Sequence, residues 1–404
     1  MDIDQQVTYL MQGTEYGDNI TAKAMEGELR ERLIEAQKEN RPLRIYCGYD
    51  PRTTDLHIGH TVTMRKLRQF QELGHEVYFV IGTYTSLIGD PSDKDKLRPL
   101  LTPEEVESNA RTYAEQAFRI LDREKTRVVY NADWLSELTF ADLIKLASNF
   151  TIQQFLTREN FKLRWEKNEA VHVHELFYSI MQGYDAHHLN TDVQVGGTDQ
   201  LFNIMTASRK IMTYFGQKPN IGIILSILPG TDGEVKMSKS LGNHIPLTST
   251  PEDMYGKVMS VPDHAMVKFA QLATRWTPLE IEQFTSSIEN DQVHPRDAKM
   301  RLAFEIVSAF FDESDAEKAQ AYFINLFQKG DLPDEIAEYS ISQEQTVLDI
   351  MLAANMAESR SQARRLINQN GVKFENQVVR DASMVVGEGI LQVGKRNFLR
   401  IKKN

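Results

Sequence analysis

The chain has 404 residues, 41% hydrophobic and 25% charged, with a net charge of −11 and a single cysteine. That length exceeds one ordinary core, so two or three domains are expected, and the balance is that of a soluble globular chain rather than a disordered one. One cysteine cannot form an internal disulfide, which fits a reducing compartment, and the longest apolar run, residues 77–81, is far too short to span a bilayer.

The opening MDIDQQVTYL lacks a basic region followed by an apolar stretch, so no secretory signal is read and a cytoplasmic location is expected. Residues 24–38 place Leu29, Leu33, Ile34 and Ala36 at helical spacing, predicting a leading helix. A short apolar strand (Leu43, Ile45, Tyr46) then runs through Cys47 and Gly48 into His57-Ile58-Gly59-His60 and a helix ended by Gly74-His75. Cys47 reads as a small buried residue. Strand, glycine turn and helix in that order present a helix N-terminus, whose unpaired N–H groups and positive dipole end attract phosphate. An imidazole can donate to phosphate oxygens, and Gly59 would let the backbone approach a ligand. Alone, two histidines flanking a turn fit a surface or packing role as well.

Residues 77–81 predict a second strand, 87–91 a loop at its carboxyl end, 103–122 a helix and 127–131 a third strand. This alternation indicates βαβ units and an α/β fold with a Rossmann-like, doubly wound parallel sheet. Ligands bind outside the carboxyl ends of such strands, where Gly48, Asp90 and Asn131 would sit. Residues 140–164 are helical and apolar (Phe150, Ile152, Phe155), which suits core packing or a dimer interface. The predicted helix 174–189 carries Tyr178, Gln182 and Asp185 at i, i+4 and i+7, on one face. That face is either a polar surface or a pocket wall.

The turn signal Gly230-Thr231-Asp232-Gly233 precedes Lys236-Met237-Ser238-Lys239-Ser240. Two lysines separated by small residues suit a loop that closes on a polyphosphate, and equally a solvated surface loop. Residues 251–329 read as all helix, and Gly330-Asp331-Leu332-Pro333 breaks the pattern. The expected domains are therefore 1–250, 251–330 and 342–404, with a linker at 331–341. The tail 342–404 carries ten Lys+Arg against six Asp+Glu, a net of +4, leaving −15 for the rest. A basic module on an acidic body suits RNA binding, because attraction to phosphate is local and screened within a Debye length of ~8 Å. In the tail, 359–367 predicts an amphipathic helix with Arg360, Arg364 and Arg365 near one face, then an Asn370-Gly371 turn and a strand holding Lys373. A basic helix can also be merely solvated.

HIGH at 57–60 and KMSKS at 236–240, in this order, resemble the paired signature of class I aminoacyl-tRNA synthetases. Residues 46–50 (YCGYD), 87–92 (LIGDPS), 178–185 (YSIMQGYD) and 196–200 (GGTDQ) extend the resemblance to bacterial tyrosyl-tRNA synthetases across roughly residues 25–404. The full KMSKS, and Leu201-Phe202-Asn203 after Gln200, are similar to the branch with an intact lysine signature rather than the degenerate one. The resemblance implies a tyrosine–tRNA ligase with ATP, magnesium, L-tyrosine and tRNA(Tyr) as partners, acting as a homodimer. It implies that His57, His60, Lys236 and Lys239 face the phosphates, and that Gly48, Asp50, Gly59, Gly197 and Asp199 complete the ATP site. It further implies that Tyr178, Gln182 and Asp90 hold the tyrosine ammonium, with Gln200 nearby, and that Tyr46 and Asp185 receive the phenol. The middle segment, 251–330, would lie on the anticodon side of the tRNA. The tail resembles the RNA-binding module of ribosomal small-subunit protein S-four. No dedicated metal site is read. Two other classes share some of these features: a nucleotidyltransferase of the HIGH superfamily, and an RNA-binding protein that retains the scaffold without the activity.

Overall fold

The computed structural model describes residues 1–51, 56–92, 102–326, 337–341, 343–357, 359–375, 377–394 and 397–403, without the side chains of residues 103, 107 and 111. The chain divides into two compact units, 1–320 and 321–404.

The first unit is built on five strands: β1 (Arg44–Tyr49), β2 (Glu76–Ile81), β3 (Thr126–Tyr130), β4 (Val193–Gly197) and β5 (Ile221–Leu225). They are all parallel, in the order β3-β2-β1-β4-β5. The near-continuous burial of β2, β4 and β5 follows from cover on both faces, as parallel sheets require. β1 lies centrally, and the winding reverses between β1 and β4, so their carboxyl ends open the crevice where such sheets bind ligands.

Helix Ile58–Glu72 joins β1 to β2, burying Val62, Met64, Leu67 and Phe70 against the sheet. Helix Pro103–Ala117 joins β2 to β3. Its start is fixed by a capping box: Thr102 Oγ1 accepts from the Glu105 N–H, and Glu105 returns a carboxylate to the Thr102 N–H at 2.9 Å. Helix Val173–His188 leads into β4. A second N-terminal helix, Ile3–Met11, was not read from the sequence. It docks on Ile58–Glu72 through Tyr9, whose hydroxyl donates to Glu72, and through the buried Lys66 ammonium, which donates to the Gln12 carbonyl at 3.0 Å.

The helical segment expected to begin at 251 is present as Pro251–Met259, Met266–Ala273, Pro278–Glu289, Pro295–Phe310 and Glu313–Ile324. Up to residue 320 it belongs to the same compact unit as the sheet. The Arg65 guanidinium, on Ile58–Glu72, lies 5.1 Å from the Phe310 ring centroid and ties the two together.

In the second unit, the expected linker needs correction. Residues 331–336 lie outside the described residues, but Ala337–Ile341 form a strand, β6, that pairs in parallel with β12 (Asn397–Lys403). The apolar burial of Ile341 against the tail core is what recruits this stretch. The larger tail sheet has the order β6-β12-β11-β8-β9, where β8 is Val372–Phe374, β9 Gln377–Val378 and β11 Gly389–Val393; β7 (Gln345–Thr346) pairs with β10 (Val385–Val386). Helix Arg360–Asn368 starts at Ser359, whose hydroxyl caps the Gln362 N–H, and buries Ala363 and Ile367. Asn370 ends it in the left-handed region, φ 57°, as the predicted turn requires.

Candidate active site

A cavity of about 870 Å³ opens at the carboxyl ends of β1 and β4. Its lining holds every catalytic and ligand residue expected in the first unit except Tyr46.

One end is formed by the two signatures. His57 precedes the first turn of Ile58–Glu72, and its N–H donates to His60 Nδ1 at 3.2 Å; the two rings lie 3.9 Å apart. Burial, followed by His60, His244 and Lys236, pushes the His57 imidazole down to about 2, so it is neutral at pH 7. A neutral imidazole keeps one N–H donor without a charge to desolvate. Gly59 leaves room for the His57 ring, since a Cβ there would stand 3.0 Å from ring atoms. The HIGH turn is strapped to the chain following the lysine loop: Ile58 N–H donates to the Ile245 carbonyl at 3.0 Å, and Leu247 N–H to Leu56 at 2.9 Å. Within the loop, buried Met237 anchors the backbone and Asn243 Oδ1 accepts from the Ser238 N–H. Lys239 is exposed at the rim, whereas Lys236 Nζ forms an ion pair with Asp199 at 3.1 Å. The lysine expected on phosphate and the carboxylate expected on ribose are thus within reach of each other.

The other end is walled by helix Val173–His188, and the i, i+4, i+7 face does point into the cavity: Tyr178, Gln182 and Asp185 all line it. Tyr178 donates to Asp50 at 3.1 Å, and Thr85 donates to the other oxygen of Asp50. Gly82 is required beside them, because a Cβ would collide with Asp50 and Thr85. Gln182 Oε1 is buried without a hydrogen-bond partner among the described residues, an acceptor that a bound donor would satisfy. Asp185 is 3% exposed, accepts from Trp134 Nε1 at 2.7 Å and from Asn131 Nδ2 at 3.3 Å, and is pushed up to about 8 by burial. Asp90 accepts from the Ser92 N–H and from Gln200 Nε2.

Tyr46 departs from expectation. Its ring is fully buried, and its hydroxyl donates to the backbone carbonyl of Gln182 at 3.0 Å rather than lining the cavity. A β1 side chain points to one face or the other, and strand position alone does not reveal how deep it sits. Between the two ends, a Cβ on Gly48 would meet nothing within 4 Å, and Gly197 sits close over Asp199.

Residues 37–328 match the family of class I tRNA synthetases for tryptophan and tyrosine, and residues 348–389 match the S4 domain. The tyrosine–tRNA ligase of Thermotoga maritima is 44% identical over 374 residues, 92% of this chain and 93% of its own length. That of Haemophilus influenzae is 46% identical over 375 residues, with 92% and 93% covered. The chain belongs to the tyrosyl-tRNA synthetase family. The structure of the tyrosyl-tRNA synthetase of Archaeoglobus fulgidus, complexed with L-tyrosine, has a TM-score of 0.60 at 23% identity, covering 79% of this chain and 100% of that one, a likeness of fold.

Several residues of this synthetase's site escaped the sequence reading. Trp134 holds Asp185 together with Asn131, which was expected at the ligand end of the third strand; the missed signal was the indole, whose N–H needs a partner when buried, just past that strand. Asn243 and His244, next to the lysine loop, carried no signal of their own. In the tail, Arg360, Arg364, Arg365 and Lys373 are all exposed, and Arg360 pairs with Asp349 at 3.0 Å.

Proposed function

We propose that the chain ligates L-tyrosine to tRNA(Tyr) in two steps within this one cavity. The observation that carries the assignment is a buried carboxyl group, Asp185, in the same cavity as both signatures. First the tyrosine carboxylate attacks the α-phosphorus of ATP and pyrophosphate leaves. Then a ribose hydroxyl of the terminal adenosine of tRNA attacks the adenylate carbonyl and AMP leaves. The attacking carboxylate is already ionised at neutral pH, so the first step needs no strong base. Catalysis is positioning plus stabilisation of charge on the phosphates.

His57 and His60 donate to phosphate from the helix N-terminus, and Lys236 and Lys239 from the loop. For Lys236 to do so, ATP must exchange its ion pair with Asp199 for one with phosphate, which leaves Asp199 to accept from the ribose. Gly48, Asp50, Gly59 and Gly197 shape the rest of the nucleotide site. Magnesium enters with ATP: the groups at the phosphate end are imidazoles and ammoniums, which suit phosphate oxygens rather than a hard cation.

Asp90, Tyr178 and the unpartnered Gln182 Oε1 receive the tyrosine ammonium, with Gln200 holding Asp90. Asp185 accepts the phenolic O–H, and phenylalanine would leave that buried group unmatched. Tyrosyl-tRNA synthetases are themselves the standard example of a site that rejects an analogue lacking the hydroxyl it hydrogen-bonds. Tyr46 supports the pocket from behind, through the Gln182 carbonyl.

Arg360, Arg364, Arg365 and Lys373 bind tRNA phosphates, and the helices from 251 onward approach its anticodon side. Phe140, Ile144, Ile152, Leu163 and Trp165, each at least 40% exposed, offer an apolar face to a second copy of the chain, making a homodimer. No described helix is long and apolar enough to cross a membrane, and the chain acts in the cytoplasm. The two other classes are disfavoured, since neither needs both intact signatures alongside a buried phenol acceptor.

The test is the tyrosine-to-phenylalanine ratio in ATP–pyrophosphate exchange. Asp185→Ala should lower that ratio by an amount worth about 1–3 kcal/mol. Gln182 and Tyr178 replacements should weaken both amino acids and leave the ratio intact. An unchanged ratio in folded Asp185→Ala would refute the phenol assignment.

A further inference from the structure

Arg158 does not line the cavity, yet its side chain is only 4% exposed, and one guanidinium nitrogen lies 3.9 Å from Asp90 Oδ1. The same nitrogen donates to Ser92 Oγ at 2.6 Å, and the other terminal nitrogen donates to Ser179 Oγ at 2.9 Å. Ser179 Oγ in turn donates to Asn203 Oδ1 at 2.7 Å. Asn203 Nδ2 donates to Gln200 Oε1 at 3.0 Å, and Gln200 Nε2 donates to Asp90 Oδ2. The path leaves one oxygen of Asp90 and returns to the other. It joins the loop of residues 89–92, helix Val173–His188 and the π-helical turn Asn203–Ser208.

Only Asp90 and Gln200 of this ring line the cavity; Arg158, Ser179 and Asn203 stand behind them. The Arg158 guanidinium carbon lies 4.7 and 5.4 Å from the ring centroids of Phe161 and Phe202. A planar guanidinium with fixed donors suits such a frame, because it imposes direction on each oxygen it meets. Deleting it would leave buried acceptors without donors, and Asp90 without its counter-charge.

We propose that Arg158 is a positioning residue for recognition of the amino-acid ammonium, acting through Ser92, Ser179, Asn203 and Gln200 to fix the carboxylate of Asp90. This rests on the assignment of the ammonium to Asp90. Both oxygens of Asp90 are held, Oδ1 by the Ser92 N–H and the nearby Arg158 and Oδ2 by Gln200, while the residue itself lines the cavity.

The experiment measures equilibrium binding of three compounds to the full chain: L-tyrosine, tyramine, which keeps the ammonium, and 3-(4-hydroxyphenyl)propionate, which lacks it. Arg158→Met retains the apolar stem; it should weaken tyrosine and tyramine by about 10–100-fold and leave the propionate unchanged. Arg158→Lys, which restores the charge without the fork, should recover part of the loss. Ser179→Ala breaks one link of the ring and should shift binding in the same selective way by a smaller factor, and it decides the matter if Arg158→Met does not fold. Equal weakening of all three compounds, or no weakening, would overturn the proposal. Asp90→Asn separates the two levels: if it weakens all three alike, the ammonium assignment itself falls. If Asp90→Asn is selective and the Arg158 and Ser179 variants are not, the positioning role alone falls.

Discussion

Asp185→Asn should change how the stability of the chain depends on pH. Burial raises the Asp185 carboxyl to about 8, against the opposing hydrogen bonds from Trp134 and Asn131. In the unfolded chain the same group titrates near ~3.9. Between these values the folded protein holds a proton that the unfolded chain releases. Stability associated with this group is therefore full below about pH 4, falls as pH rises, and levels off once the pH passes about 8. From pH 6 to pH 9 the loss is about 3 kcal/mol, obtained from ~1.4 kcal/mol per unit over the two units before the folded group titrates. Asparagine occupies the same volume and does not titrate. Urea unfolding of wild type and Asp185→Asn, side by side at pH 6, 7, 8 and 9, cancels every group common to both. The variant should gain about 3 kcal/mol on wild type across that range. Parallel stability curves would mean that Asp185 is already ionised in the folded chain at pH 6, with the hydrogen bonds from Trp134 and Asn131 outweighing its desolvation, and the account of a carboxyl kept protonated by burial would be wrong.

Lys239→Ala should depress tyrosine activation by ~10²–10³, the usual scale for losing a charge-stabilising donor, while tyrosine affinity measured by equilibrium dialysis stays unchanged. A chain ending at Leu326, before the first tail strand, should still form tyrosyl-adenylate but lose most tRNA charging, and the remaining charging should depend less steeply on salt than that of the full chain.

Much of the fold was legible because its signals are local. The order of strand, glycine turn and helix at 43–60, and the alternation up to residue 131, lead directly to the parallel sheet and to its switch point. The face of Tyr178, Gln182 and Asp185 was legible too, since 3.6-residue periodicity fixes which side chains share a side of a helix. Periodicity does not say which of them is desolvated, or by what. Trp134 lies 51 residues from Asp185, and Arg158 lies 68 from Asp90, so these partners meet only through the tertiary fold. Tyr46 illustrates the same limit from the other side: its position on β1 was legible, but its hydroxyl is taken up by a backbone carbonyl of a helix that follows more than a hundred residues later. The strand β6 was hidden because Ala337–Ile341 is a short, polar edge segment that becomes a strand only by pairing with β12. The N-terminal helix Ile3–Met11 carries its own capping box at Asp2 and Gln5, a local signal that the apolar periodicity of so short a helix does not reinforce.

The measurement that bears most directly on the central claim is ATP–pyrophosphate exchange with the full chain, run separately with each of the twenty amino acids. Tyrosine should drive exchange and phenylalanine should fail to do so at comparable concentration, because in the proposed site only the phenol of tyrosine would meet Asp185. Exchange driven by a different amino acid, or none with tyrosine, would contradict the account.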